Sequence, residues 1–297
     1  MTAHERKAAV GIIGLGFVGT AVAERLNAAG YDVVGYDVNA WKRDRFAARG
    51  GGHLKPSIVE VGRSASSIVI AVFDTEQVID VVEGPGGLVE ATDGAPLAAL
   101  CTSTCEPDAL ATLARRAANA AVSLIEFPIV GNSEQLQRGE AIALVAGDAD
   151  AIAGVEQVMD AICPRRFAVG HPGDAARAKL AINLVLQLNR SALAEGLVFA
   201  ARLGLDPAAF LKILSASPAR SDVMETKGEK MIQGDYSPQS HIAQTLKDAR
   251  LILEEARRVG QPLPLMEINT ALLAATVELG GPERDSSAVI EAIRERK

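Results

Sequence analysis

The chain is poor in aromatic residues, with one Trp, three Tyr and seven Phe among 297 positions. Its core must therefore be built from Val, Ile, Leu and Ala, and 48% of the residues are hydrophobic. It holds three cysteines, Cys101, Cys105 and Cys163. That number is too small and too odd for a disulfide framework, which fits a reducing cytoplasm. Cys101 and Cys105 stand four apart with no His nearby, so packed thiols are expected and a metal site is not. His4, His53, His171 and His241 are scattered, and His171 reads as a turn residue leading into a helix. Positive charge is not in excess: 30 Lys+Arg face 37 Asp+Glu, a net charge of -7. This balance argues against a nucleic-acid or membrane-surface partner. No window of about 18 apolar residues runs without charges or breakers, so no membrane span is expected. The opening MTAHERKAAVGIIGLG has the order of a signal peptide. Its apolar run is short and glycine-rich, and no small-residue cleavage site follows at the right distance.

What is present changes rhythm halfway. At roughly 150 residues per domain, the length suggests about two domains. Up to residue 169, apolar runs at 8–16, 32–37, 66–74, 96–104, 122–130, 141–148 and 165–170 alternate with helix-like stretches such as Phe17–Ala29, Glu76–Glu83 and Pro107–Ala118. This alternation predicts an α/β Rossmann-type domain, residues 1–169, with a mostly parallel sheet covered on both faces. After His171-Pro172-Gly173 the period-2 signals vanish. Residues 170–297 read as an all-α domain, joined to the first by a long helix over Ala175–Leu203, roughly 44 Å at 1.5 Å per residue. Further helices are expected at about 206–215, 242–259, 264–278 and 286–296, with Pro207, Pro264 and Ser286 near their starts and Gly204, Gly260 and Gly280 near ends.

Gly14-Leu15-Gly16-Phe17-Val18-Gly19 fits G-x-G-x-x-G between a strand and a helix. The first glycine permits a tight turn, the second lets the backbone approach a pyrophosphate, and the third allows close helix–strand packing. The pyrophosphate then sits at a helix N-terminus, where free N–H groups and the dipole favour an anion. Asp37 ends the second strand 18 residues past Gly19. An acid there accepts ribose hydroxyls and repels a 2′-phosphate, which points to NAD, with NADP possible because Lys42 and Arg43 follow. A glycine turn without a ligand, or one serving a methyl-donor cofactor, are the alternatives. Phe73, closing the third apolar run, and Thr104 are further cofactor-side candidates. Trp41 receives no role.

On the long helix, Lys179 and Asn183 stand at i and i+4, on one face. The helix around them is rich in Ala, Leu and Ile. A lysine beside buried surface is costly unless it has a task or a partner, and a desolvated ammonium gives up its proton more readily, as a general base must. The bland alternative is a lysine that snorkels at the helix edge. Lys247-Asp248, with several charges nearby, reads on composition as a solvated face.

Together and in order, these segments resemble the β-hydroxyacid dehydrogenase family, which includes 3-hydroxyisobutyrate dehydrogenase and is related to 6-phosphogluconate dehydrogenase. GIIGLGFVGTAVAERL resembles its cofactor signature. Thr102-Ser103-Thr104-Cys105-Glu106-Pro107 resembles its D-x-S-T-x-x-P loop beside the nicotinamide, with Cys101 where the Asp usually stands. Lys179 with Asn183 resembles its K-x-x-N-N helix, with Ile182 in place of the first Asn. Lys247-Asp248 resembles its K-D pair, and Asp285-Ser286-Ser287-Ala288 its D-x-S-A. The resemblance implies that Lys179 is the catalytic acid/base, that Asn183 helps hold the substrate, and that Lys247 reaches cofactor and substrate. It further implies a small hydroxy-acid substrate and a homodimer or homotetramer joined through the helical domain.

One segment departs. Where the family has D-A-P-V-S-G-G, this chain has Glu126-Phe127-Pro128-Ile129-Val130-Gly131-Asn132-Ser133. Val130 replaces the serine that donates to the substrate carboxylate. Backbone amides of Gly131 and Asn132 and the Ser133 hydroxyl remain to bind it, while Val130 and Phe127 are expected to reshape the pocket. Substrate identity therefore does not carry over from any one branch. Imine reduction on the same scaffold and a non-catalytic nucleotide-binding role are the competing readings.

Overall fold

The computed structural model describes residues 7–296; His4 lies outside them. Along the chain run β1 (Lys7–Ile13), α1 (Phe17–Ala28), β2 (Tyr31–Tyr36), α2 (Ala40–Ala48), β3 (His53–Leu54), α3 (Ile58–Ser64), β4 (Ser67–Ile70), α4 (Thr75–Glu83), β5 (Leu97–Cys101), α5 (Pro107–Ala118), β6 (Val122–Glu126), β7 (Ile129–Val130), α6 (Ser133–Gln137), β8 (Ile142–Ala146), α7 (Ala149–Gly154), α8 (Glu156–Ile162) and β9 (Arg166–Gly170). Helices alone follow: α9 (Asp174–Arg202), α10 (Pro207–Ala216), α11 (Glu229–Gln233), α12 (Ile242–Arg258), α13 (Pro264–Gly280) and α14 (Val289–Glu295). One compact unit ends at Lys179 and a second begins at Leu180, so the division falls within α9.

The first unit is a twisted sheet in the order β3-β2-β1-β4-β5-β6-β8, with β9 on the far side of β8. Pairing is parallel from β3 through β6 and antiparallel where β8 meets β6 and β7. All four residues of β4 are buried, as expected for a strand with helices on both faces. Neighbouring residues of β1 serve opposite faces: Ile12 packs with Ala21, Val22 and Leu26 of α1, Ile13 with Val61, Val78 and Val82. The expected run 122–130 is interrupted. Glu126 pairs with Ala146, Ile129 with Ala143 and Val130 with Ile142, a single register broken at Phe127-Pro128. Pro128 has no N–H to donate to the ladder.

In the second unit α12 buries Ile242, Leu246, Ala249, Ile252, Leu253 and Ala256, the spacing of one helical face. That face packs with Leu193 and Leu197 of α9 and Leu272 and Leu273 of α13. The expected terminal helix 286–296 is a 3-10 turn, Ser286–Ala288, followed by α14. Asp285 caps the turn by accepting from the Ser287 amide at 2.9 Å. Among the described residues, no helix is long and apolar enough to cross a membrane, and no cluster of His, Cys, Asp and Glu has metal-binding form.

Candidate active site

The loops after β1, β2, β4 and β5 leave the carboxyl ends of parallel strands, where open α/β sheets bind ligands. Backbone bonds lace them together: Gly14 N donates to Tyr36 O at 2.9 Å, Ala71 N to Ile13 O at 2.8 Å, and Thr102 N to Ile70 O at 2.9 Å. Two fingerprint glycines are demanded by this packing. Gly14 has φ +95°, and a Cβ there would lie 2.7 Å from the Ala71 carbonyl carbon and overlap its oxygen. A Cβ on Gly19 would lie 3.0 Å from the Gly14 carbonyl carbon and closer still to its oxygen. Gly16 differs, because a Cβ there meets nothing within 4 Å. It caps α1 without a side chain, so the helix N-terminus faces open space where a pyrophosphate fits. Leu15 is buried in the core, while Phe17 and Val18 are half-buried.

Asp37 is buried, with one carboxylate oxygen accepting from Leu15 N at 2.8 Å and the other from Asn39 N at 2.8 Å. It thereby ties the end of β2 to the glycine turn, and each oxygen keeps a second lone pair for a hydroxyl. The two cations beyond it turn inward. Lys42 Nζ lies 3.9 Å from the Asp37 carboxylate, and Arg43 donates to the carbonyls of Asp37 and Val38 at 2.6 and 3.2 Å. Trp41 is exposed, under the Arg45 guanidinium. Phe73 is partly exposed and its amide donates to Gln77 at 2.9 Å. Thr104 is buried beside Ser103, whose hydroxyl donates to Val72 O at 2.7 Å. Cys101 and Cys105 are buried core thiols. Their mutual hydrogen bond and burial push the Cys101 thiol well above its ordinary range, so Cys101 is not poised to react.

Around β7, two contacts hold α9 to the substrate loop. Glu126 is buried and its carboxylate accepts from Gly173 N and, at 2.7 Å, from Ala176 N. Burial nevertheless raises its pKa. Lys179 is only 7% exposed, and its Nζ donates to Ile129 O at 2.7 Å. It is therefore not a snorkelling surface lysine; its ammonium sits inside, one residue from Val130. Two expectations for the loop are corrected. The Asn132 amide donates to Gln135 Oε1 at 2.9 Å while Asn132 Oδ1 accepts from Gln135 N at 2.8 Å, a capping box that occupies the amide offered to a carboxylate. Phe127 is fully buried in the sheet core and shapes no pocket. Val130 is half-buried, Gly131 is exposed with φ +138°, and Ser133 is buried. His171 is exposed, its amide bound to Asp174 at 2.8 Å.

In the second unit Asn183 is buried and donates through Nδ2 to Asp248 at 2.9 Å. A carboxylate only accepts, so this contact fixes the amide with its carbonyl oxygen turned away from Asp248. Lys247 Nζ lies 2.9 Å from the other Asp248 oxygen, with its side chain only 16% exposed. The pair is thus not a solvated face, and Asp248 gathers two residues assigned to the substrate. Sequence reasoning gave Asp248 no role, although its place after Lys247 was visible.

Residues 9–170 match the family described as the NAD binding domain of 6-phosphogluconate dehydrogenase. Residues 173–293 match the one described as NAD-binding of NADP-dependent 3-hydroxyisobutyrate dehydrogenase. The chain is 29% identical to an L-threonate dehydrogenase of Cupriavidus necator, covering 95% of each. It is 27% identical to the cytokine-like nuclear factor N-PAC of Drosophila melanogaster, over 94% of this chain and 46% of that one. The solved structure of Psf3 in complex with NADP+ and 2-OPP superimposes with a TM-score of 0.88 at 25% identity, covering 96% of this chain and 99% of that one.

Proposed function

The chain belongs to the β-hydroxyacid dehydrogenase family, and from that premise we propose that it oxidises a small β-hydroxy acid, or reduces its semialdehyde or keto form, with Lys179 as general acid/base. It is an NAD(P)-dependent oxidoreductase acting on CH–OH groups. The observation that carries the residue assignment is the burial of the Lys179 Nζ against Ile129 O, beside Val130.

Gly14–Gly19 and Asp37 would hold the dinucleotide, with Phe73 and Thr104 on the loops beside it. Its nicotinamide, when bound, takes or gives the hydride. As the neutral amine Lys179 takes the hydroxyl proton in oxidation, and as the ammonium it returns it in reduction. Asn183, fixed by Asp248, orients that hydroxyl by donating the second N–H of Nδ2 to its oxygen. Lys247 contributes positive charge toward the acid. Gly131, the open backbone position of the loop Val130–Ser133, receives the substrate carboxylate, with Val130 an apolar wall in place of a hydroxyl. Asp37 and the inward-turned Lys42 and Arg43 favour NAD over NADP.

Functionally, residues 1–169 form the dinucleotide-binding part and 170–297 the part that handles substrate and oligomerises. Exposed Val185, Phe199, Leu203, Leu265 and Ile268 support a homodimer or homotetramer through the helical part. Three buried, unpaired thiols support a cytoplasmic location.

The test is cofactor-coupled absorbance at 340 nm with NAD and NADP against small 3-hydroxy acids, sugar acids and cyclic imines. Lys179→Ala is expected to lose about 10²–10⁴-fold in kcat with cofactor affinity intact. Full turnover in that variant would sink the acid/base assignment. Turnover of imines alone would shift the reading to imine reduction, and dinucleotide binding without any turnover would leave a binding protein.

A further inference from the structure

We infer that Glu126 is a positioning residue for Lys179: its buried carboxylate ties the start of α9 to the end of β6, and so fixes where the Lys179 Nζ stands against β7. The inference rests on the reading of Lys179 given above.

Two contacts join the same two stretches of chain. The Glu126 carboxylate accepts from Gly173 N and, at 2.7 Å, from Ala176 N, and Ile129 O accepts from Lys179 Nζ at 2.7 Å. Ile129 lies three residues beyond Glu126, and Lys179 three beyond Ala176. The contacts are therefore successive rungs between strand and helix. On the strand side the sheet sets the positions. Glu126 pairs with Ala146 and Ile129 with Ala143, and the Phe127 amide between them donates to Cys101 O at 2.8 Å. On the helix side Ala175 and Ala176 are buried but small. Arg177 meets Asp108 and Asp174 at 2.6 and 3.0 Å, with all three side chains exposed, and such surface pairs hold little. Apolar contact is non-directional, whereas two hydrogen bonds to one carboxylate fix both distance and register.

A helix cap alone would not require this residue. The amides of a first turn have no partner within their helix, and a Ser, Asp or Asn just before the helix commonly supplies one. Here Gly173 precedes α9. Its φ is +98°, and a Cβ on it would lie 3.2 Å from Pro107 O, so no capping side chain stands there. The acceptor comes instead from residues 47 and 50 positions away. It is a carboxylate only 2% exposed, and burial raises its pKa. A buried charge is costly, and an uncharged acceptor would satisfy one of the amides without it. What the carboxylate adds is a pair of oxygens on one arm. That pair locks the helix that carries Lys179 to the strand that leads into Val130 and Gly131. A reacting group misplaced by about 1 Å loses on the order of 100-fold in rate, so the lock bears directly on the chemistry.

The experiment compares the parent with Glu126→Gln and Glu126→Asp. Acylation of Lys179 by acetic anhydride, read by peptide mass spectrometry across a pH series, needs no turnover. The plateau rate reports the access of Nζ, and the midpoint keeps titration separate from it. Alkylation of Cys163, a buried thiol of the same unit, reports how often the whole unit opens. In Glu126→Gln the Lys179 plateau should rise about tenfold more than Cys163 alkylation does, the scale of one lost charge-assisted hydrogen bond. With the hydroxy acid that the parent turns over, kcat should fall about tenfold to 100-fold, with smaller changes in KM and in NADH affinity. Glu126→Asp keeps both acceptor oxygens and should stand closer to the parent in each readout. An unmoved Lys179 plateau would overturn the proposal, as would one that rises only in step with Cys163, the mark of a purely structural role. So would a kcat within about twofold of the parent's, or a Glu126→Asp no closer to the parent than Glu126→Gln. If the parent turned over no hydroxy acid, the dehydrogenase reading would fail, while the labelling still decided whether Glu126 holds Lys179 in place.

Discussion

Gly16→Ala separates folding from binding more cleanly than any other change in the glycine turn. Gly16 has φ −74° and ψ −161°, which alanine adopts freely, and its added Cβ would meet nothing within 4 Å. The folded protein should lose nothing, and the reduced entropy of the unfolded chain should add about 0.4–1 kcal/mol. Gly14→Ala is different: its φ of +95° costs alanine about 1–2 kcal/mol. Overlap with the Ala71 carbonyl adds about 1–3 kcal/mol of overpacking. Gly19→Ala meets the Gly14 carbonyl and incurs the second cost alone. Thermal denaturation should therefore rank Gly16→Ala at or above the parent, with Gly19→Ala below and Gly14→Ala lowest. NADH fluorescence titration should instead place Gly16→Ala well below the parent. A methyl where the backbone must approach the pyrophosphate should weaken binding about tenfold or more, or 1.4 kcal/mol. Parental affinity in Gly16→Ala would refute the reasoning, because the open space above the helix N-terminus would then serve no dinucleotide.

The parallel strands were legible because each is a continuous apolar run, and Ser67–Ile70 and Leu97–Cys101 fall inside the runs read from sequence. Helix α5 matched its expected bounds because Glu106 caps it and Pro107 opens it. Short helices such as α3, α6 and α7 carry little periodic signal, since five to seven residues fall short of two turns. The π turn Met224–Gly228 before α11 carries no sequence signal of its own. At the site, Lys179 and Asn183 were readable as one helical face from their spacing. What each residue faces was not: Ile129 lies 50 residues from Lys179, and Asp248 lies 65 from Asn183. Contacts of that separation depend on the folded topology. The Asn132–Gln135 capping box was legible, because the N-x-x-Q spacing is itself the signature.

Two further predictions concern buried carboxylates of opposite behaviour. Glu126→Gln leaves the amide of Gly173 or of Ala176 facing an NH2 group, a loss of about 1–3 kcal/mol in denaturant titrations. Because burial raises the Glu126 pKa above its unfolded value, its stabilising share is fully present below the ordinary Glu range and is lost as pH rises through the folded value. The parent's advantage over Glu126→Gln should therefore be largest at acid pH and shrink toward neutrality; an advantage that grew with pH would contradict the burial argument. Asp285 has the opposite sign. Burial pushes its carboxyl up, but Lys227 and the amides of Ser287 and Gln239 outweigh this and hold it below the usual Asp range. Its contribution is therefore present above that range and lost as pH falls through the lowered value. Lys227→Met removes the cation and leaves a buried carboxylate, a loss of about 3–5 kcal/mol at neutral pH. In the variant burial prevails and the folded Asp285 value rises, so the gap to the parent should widen as pH climbs from below the Asp range toward neutrality. Lys227→Met/Asp285→Asn, which buries no charge at this point, should recover much of the loss. A gap that is flat with pH, or a double variant no better than the single one, would show that Lys227 contributes by packing its carbon stem and not by neutralising Asp285.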